Sequence, residues 1–298
     1  GATTTGQRNV GVGTTALGGN TTGNDNTAVG KNALIANTTA AGNTAVGSVA
    51  LAANTTSGQN TAVGYASLEA NTGASNTAVG YAALDSNTTG AQNTAVGNEA
   101  LDSNTTANNN VAIGNDSLGN NTTGANNVAV GTNCMLGNTT ASHNAAVGYK
   151  ALEANTTGDR NTAVGPFALD ANTTGYRNVA IGYNALTDNA DGLRNTAVGY
   201  GAIADSTSAS ENAAFGYVAL GANTTGERNT GIGTYALQQN TTANYNTGIG
   251  YQALALNTTG GQNTAVGENA MVSNTTGSDC TAVGRRALDA NTTGASNT

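Results

Sequence analysis

Residues 161–177 read N-T-A-V-G-P-F-A-L-D-A-N-T-T-G-Y-R, and close variants of these seventeen residues precede and follow them along almost the whole 298-residue chain. The shared unit is N-T-A-V-G-x-x-A-L-x-x-N-T-T-G-x-x. Its first residue recurs at Asn9, Asn26, Asn43, Asn60, Asn76, Asn93, Asn110 and onward to Asn263. Only the unit that starts at Asn60 is one residue short. A fixed period with a fixed apolar pattern is the mark of a stacked array, in which a unit cannot bury its apolar face alone and lies against its neighbours.

The residue types exclude a helical repeat. Asn, Thr and Gly make up about half of each unit; they are poor in helix interiors and at home in turns. In N-T-A-V-G the β-branched Thr and Val flank Ala, which predicts a short strand ended by Gly, and the A-L pair is expected to begin a second short segment. N-T-T-G has turn chemistry, since Asn can bond its own backbone and Gly can take positive φ. One unit is therefore one coil of an all-β, parallel β-solenoid, with coils stacked at a strand spacing of about 4.8 Å. Two apolar rows are expected to run buried along it, Val29, Val46, Val63 and Leu34, Leu51, Leu68. Two further rows read as structural ladders that fix register: the leading Asn (Asn26, Asn43, Asn93, Asn161) through stacked amides, and the closing Gly (Gly30, Gly47, Gly97, Gly165).

Composition agrees with an ordered chain. Charged residues are 9% of it and Pro occurs once, whereas a disordered linker is richer in both and carries no phased Val and Leu. The repeat phase is unbroken from Gly13 to Gly284, so residues 1–298 read as a single continuous domain. The array starts about half a unit before Asn9 and stops inside a further unit at Thr298, as an excerpt from a longer protein does.

Chemistry-bearing residues are scarce. The net charge of −8 and the scattered nine basic residues argue against nucleic acid, and no stretch is long and apolar enough to span a membrane. Arg160, Arg177, Arg194 and Arg228 hold the last position of their units, with Glu211 interrupting; carboxylates such as Glu153, Asp159, Asp170 and Glu227 are the expected counter-charges. Cys134 and Cys280 lie on the order of 43 Å apart at strand spacing, beyond the reach of a disulfide, which needs Cα atoms within about 7 Å. N-x-T sequons begin at Asn37, Asn54, Asn87, Asn104, Asn155 and Asn274, where turn-making is the preferred reading over glycosylation. His143 is the only histidine, and no acid recurs beside it. No metal or cofactor set and no catalytic constellation emerges, so the reading is non-enzymatic.

Tyr follows the closing Gly in seven units, including Tyr183, Tyr200 and Tyr217, a row able to contact sugar rings or another chain. The pairs Thr21 and Thr22, Thr38 and Thr39, Thr55 and Thr56 form rows that an ice- or crystal-surface binder would use. A coil whose apolar residues are one Val, one Leu and two Ala has a thin core, which favours sharing it with other chains.

The N-T-A-V-G motif followed by a short x-x-A segment resembles the head repeats of trimeric autotransporter adhesins, and the longer N-T-A-V-G-Y-x-A-L-x-x-N-T-T-G form looks like repeats in bacterial and phage tail-fibre-type proteins. The resemblance implies a left-handed parallel β-roll with three chains around a shared axis, built for display and attachment. The functional expectation is an extracellular fibre or adhesin segment at a cell or virion surface, self-associating as a homotrimer or an end-to-end filament and contacting surface glycans or a host surface. The rival expectations are the Thr-ladder surface binder and a carbohydrate-binding module using the Tyr row.

Overall fold

The computed structural model describes residues 4–298. The chain forms two compact units, one ending at Asn144 and one beginning at Ala145. Each is a parallel β-solenoid, and the described residues contain no helix. The first unit carries eight strands, β1 (Val10–Val12) to β8 (Val128–Val130); the second carries nine, β9 (Ala145–Val147) to β17 (Thr281–Val283). Every strand is three residues long, the T-A-V of the repeat, and within each unit consecutive strands pair in parallel and in phase.

Backbone hydrogen bonds leave each coil in both directions. Thr27, Leu34 and Thr38 donate forward to the carbonyls of Asn43, Ala50 and Thr55, while Asp25, Gly30 and Asn32 donate backward to Gln7, Val12 and Thr14, all at 2.8–3.0 Å. Reversing the peptide direction within so few residues takes left-handed backbone, and it falls on non-glycine residues: φ is 57° at Asp25, 60° at Asn32 and 49° at Leu34. Each such residue costs roughly 1–2 kcal/mol, offset because the peptide groups it turns all find partners in the neighbouring coils. The segment after the strand is a run of turns. Ala33 N–H donates to the Gly30 carbonyl (3.4 Å) and Asn37 N–H to that of Leu34 (3.2 Å), so the Ala-Leu pair, expected to begin a second extended segment, lies inside consecutive turns. Nor is positive φ used at the Gly of N-T-T-G. It recurs at the closing Gly of every strand and at the three side-chain-bearing positions.

The core differs from the sequence reading in one row. Leu34, Leu51 and Leu68 are fully buried, as are the strand alanines Ala28, Ala45 and Ala62. Val29, Val46 and Val63 face outward instead, Val29 and Val46 being 36% and 37% exposed and Val63 half-buried. The physical reason is the two-residue period of a strand: if Ala points in, the flanking Thr and Val point out. The interior has no room to invert the choice. In the coils that carry Gly at the inward site, a Cβ built on Gly248 would lie 3.0 Å from the Ala253 carbonyl and 3.1 Å from Leu237 Cγ. A methyl group fits tightly there and a β-branched side chain does not.

Candidate functional site

The inner wall is built from two asparagine ladders. The leading Asn accepts the backbone N–H of its successor, as Asn26 Oδ1 does from Asn43 (3.0 Å), and its Nδ2 donates to the turn fourteen residues on that closes its own unit, as Asn26 does to the Ala40 carbonyl (2.8 Å). The second Asn links side chain to side chain: Asn37 Nδ2 donates to Asn20 Oδ1 at 2.8 Å and Asn104 Nδ2 to Asn87 Oδ1 at 2.7 Å. Asn43, Asn93 and Asn161 repeat the leading pattern. The N-x-T acceptor nitrogens of Asn37, Asn54, Asn87, Asn104, Asn155 and Asn274 thus belong to buried side chains, inaccessible to a glycosylating enzyme in the folded chain.

The closing Gly row is a point of close approach. Gly30, Gly47, Gly97 and Gly165 have φ of 128–145°, and a Cβ on Gly47 would lie 2.1 Å from the Gly64 carbonyl oxygen. No other residue combines that backbone with that spacing.

Two coils interrupt the second ladder. In the coil from Asn60, which lacks a residue in its turn, strand pairing stays in phase, Thr61 opposite Thr77 and Val63 opposite Val79. The turn absorbs the deletion. Asn71 Nδ2 closes on the Gly73 carbonyl at 2.8 Å, which leaves the buried Oδ1 of Asn54 without a partner. In the coil from Asn195, Ser206 replaces the second Asn; Asn189 Oδ1 and Ser206 Oγ are both buried and unpartnered. Cys280, in place of a leading Asn, keeps both contacts in weaker sulfur form, its Sγ donating to the Gly294 carbonyl at 3.2 Å and accepting the Asn297 N–H at 3.5 Å. Burial pushes the Cys134 thiol up to about 12, and both cysteines are buried.

Outside the wall, the strand faces carry no charge. The third strand residue is Val, Ile or Phe in all seventeen strands, and the first is Thr, Val or Ala. In the second unit Val147, Val164, Ile181, Phe215 and Ile232 are 39–42% exposed. The hydroxyls of the Thr21, Thr38 and Thr55 row are not a free array, since Thr21 and Thr38 Oγ1 donate to the carbonyls of Thr38 and Thr55 at 2.9 and 3.1 Å.

Tyr183, Tyr200 and Tyr217 stack with centroids 5.3 and 5.2 Å apart and planes within 14°. Phe167 and Tyr235 extend the row edge-on from the next sequence position. Because each ring covers its neighbour's face, the row presents edges and hydroxyls rather than open faces. Sequence reading found the Tyr but missed these two, since they hold a different place in the repeat.

The charged column resolves within the chain. Glu211 accepts from Arg194 (2.6 Å) and from Arg228 (2.7 Å), and these hydrogen bonds, Arg228 first, hold its carboxyl below the usual range. Arg228 also donates to the Tyr245 hydroxyl at 2.5 Å. The partner is the residue that breaks the arginine run, where Glu153, Asp170 and Glu227 were expected; Glu153 pairs with Lys150 instead (3.2 Å). In the first unit Glu69, Asp85 and Asp102 hold the same repeat position on adjacent coils, and the first two line a groove of about 560 Å³. Burial, then the Asp85 charge, raises the Asp102 carboxyl to about 6. His143 is exposed. Among the described residues no group of three or more His, Cys, Asp and Glu is placed to hold a metal ion.

No protein-family model matches the chain, and no curated protein matches it either.

Proposed function

We propose that the chain is a non-enzymatic structural segment of an extracellular fibre or adhesin, a shaft or head at a cell or virion surface, whose copies associate side by side as a homotrimer. The observation that carries this is the outer strand face. In a chain with seventeen copies of one unit, the copies act as an internal comparison, and exposed positions such as the one after the closing Gly vary freely among Tyr, Asn, Pro, Glu and Arg. The Val, Ile and Phe position is as exposed yet never takes a polar residue. Contiguous apolar surface of that kind marks an interaction site. Its occupant must offer an apolar surface with the same coil spacing, and a second copy of this chain does so by construction. The resemblance to trimeric adhesin heads supports three copies.

Native mass measurement together with light scattering in dilute solution tests the reading. The expected result is a discrete trimer; a stable monodisperse monomer overturns it.

One observation favours a second reading, a binder of ice or another crystalline surface. Thr27, Thr44, Thr61, Thr77 and Thr94 project beside the Val row on a charge-free strand face, a different Thr row from the one the sequence suggested. A thermal hysteresis assay separates the two, because a face covered by other chains binds no ice.

A further inference from the structure

The repeat makes departures legible, and they gather in one place in the second unit. In the coil from Asn195 to Glu211, Gly201 stands where every other coil carries a side chain, and one coil later Gly221 occupies a variable position that is also Gly at Gly18 and Gly119 but only here lies beside a second missing side chain. Removing two neighbouring side chains opens a depression of about 310 Å³ in the turn segment. Its floor is Gly201, Ala204, Gly221 and Ala222. Asn184, Asp205, Gln238 and Gln239 converge on it from three coils, with Tyr200 and Val218 along one side.

We propose that this notch is a binding site for a neutral saccharide unit. The carboxamides of Asn184, Gln238 and Gln239 and the carboxylate of Asp205 make no side-chain hydrogen bond within the described residues, so their donors and acceptors are available to a ligand. Three amides and one carboxylate supply donors and acceptors side by side, which suits hydroxyl groups that are both at once. Val218 and the ring edge of Tyr200, whose two faces are taken by Tyr183 and Tyr217, give an apolar side against which the C–H groups of a sugar ring rest. No basic residue lines the notch, which leaves an anionic ligand without counter-charge. Ser206, next in sequence to Asp205, and Asn189 one coil earlier carry buried, unpartnered polar atoms, so regular wall hydrogen bonding is also interrupted in these coils. The notch lies on turns rather than on the strand face, so it does not depend on the proposed assembly.

The test uses the full chain on an array carrying neutral hexose and N-acetylhexosamine oligosaccharides beside sulfated and uronic-acid ones. Two variants remove the site with the fold kept. Gly201→Asn fills it with the residue that Asn32, Asn133, Asn184 and Asn269 place at the same repeat position with φ of 53–60°, against 58° at Gly201. Asp205→Ala installs the residue found there at Ala36, Ala53, Ala70 and Ala222. The expected result is retention on at least one neutral glycan, reduced about tenfold or more in both variants, with unchanged circular dichroism and unchanged particle mass. Retention on no neutral glycan, equal retention by the variants, or retention on acidic glycans alone overturns the proposal.

Discussion

Leu169 and Val164 stand five residues apart in one coil, and both belong to columns that scarcely vary along the chain. One is fully buried and the other 39% exposed. The Leu column is explained inside the chain: it fills the space opposite the inward alanines, and the Asn and Gly columns beside it are fixed by hydrogen bonds and close approach. The Val column has no such explanation. Nothing within a single chain prevents Thr, Lys or Glu at an outward strand position, so its constancy points to something outside the chain. Uniformity in a repeat thus has two sources, internal packing and external cover, and burial tells them apart.

The largest effect should come from the buried column. Leu169→Asp places a charge where no partner or water reaches, and the second unit should lose about 4 kcal/mol or more. Thermal melting followed by circular dichroism reads this; a variant that melts like the parent would remove Leu from the core. The outward column should respond in the opposite manner. Val164→Asp with Phe215→Asp, on strands that are not neighbours, should leave the dissociated chain within about 0.5 kcal/mol of the parent per site yet weaken assembly by about 100-fold or more. Light scattering across a dilution series measures it, and an unchanged mass would mean that the strand face is not the contact.

The same contrast explains what the sequence allowed. The period, the strands, the turn at N-T-T-G, the Leu core and the asparagine ladders all follow from residue types that hold one position for one physical reason. Val29 and Val46 misled because hydrophobicity and burial were taken together, whereas the two-residue period of T-A-V already places Val on the face opposite Ala. Left-handed backbone at Leu34 left no readable trace, since leucine does not favour it and the hydrogen bonds that impose it come from neighbouring coils. Glu211 looked like an interruption of the arginine column because charge was read one column at a time. In three dimensions it is the carboxylate that two arginines share. The notch at Gly201 was in principle visible as clustered departures from the unit, but its depth depends on Gly221, a whole coil away.

A smaller effect concerns the acidic column of the first unit, which has no internal counterpart to the Arg194, Glu211 and Arg228 network. Asp102 has its carboxyl raised from 3.8 to about 6 by burial first and Asp85 second, with Glu99 adding to it. A raised folded-state value means that ionisation opposes folding. The penalty is present in full above about pH 6 and vanishes as pH falls toward 3.8. Stability of the first unit should therefore rise between pH 7.5 and 5, by about 1 kcal/mol once solvent screening of this half-exposed group is allowed for. Asp102→Asn should flatten that rise; a parent that loses stability over the same interval would contradict the sign.

The smallest expected change is a repair. At Ser206 the second asparagine ladder lacks its donor, and Asn189 Oδ1 is left buried without a partner, whereas one coil earlier Asn189 Nδ2 reaches Asn172 Oδ1 at 3.0 Å. Ser206→Asn restores the repeat residue in a wall whose other coils already accommodate it. One buried amide hydrogen bond is worth about 1 kcal/mol, and removing an unpartnered acceptor adds to that. The melting temperature of the chain should rise by a few degrees, on the order of 2–4 °C for a unit of this size. Gly201 and Gly221 are untouched by the change, so glycan retention should stay as in the parent. A variant less stable than the parent would mean that the coil from Asn195 has relaxed around serine and that the wall no longer has room for the asparagine its neighbours carry.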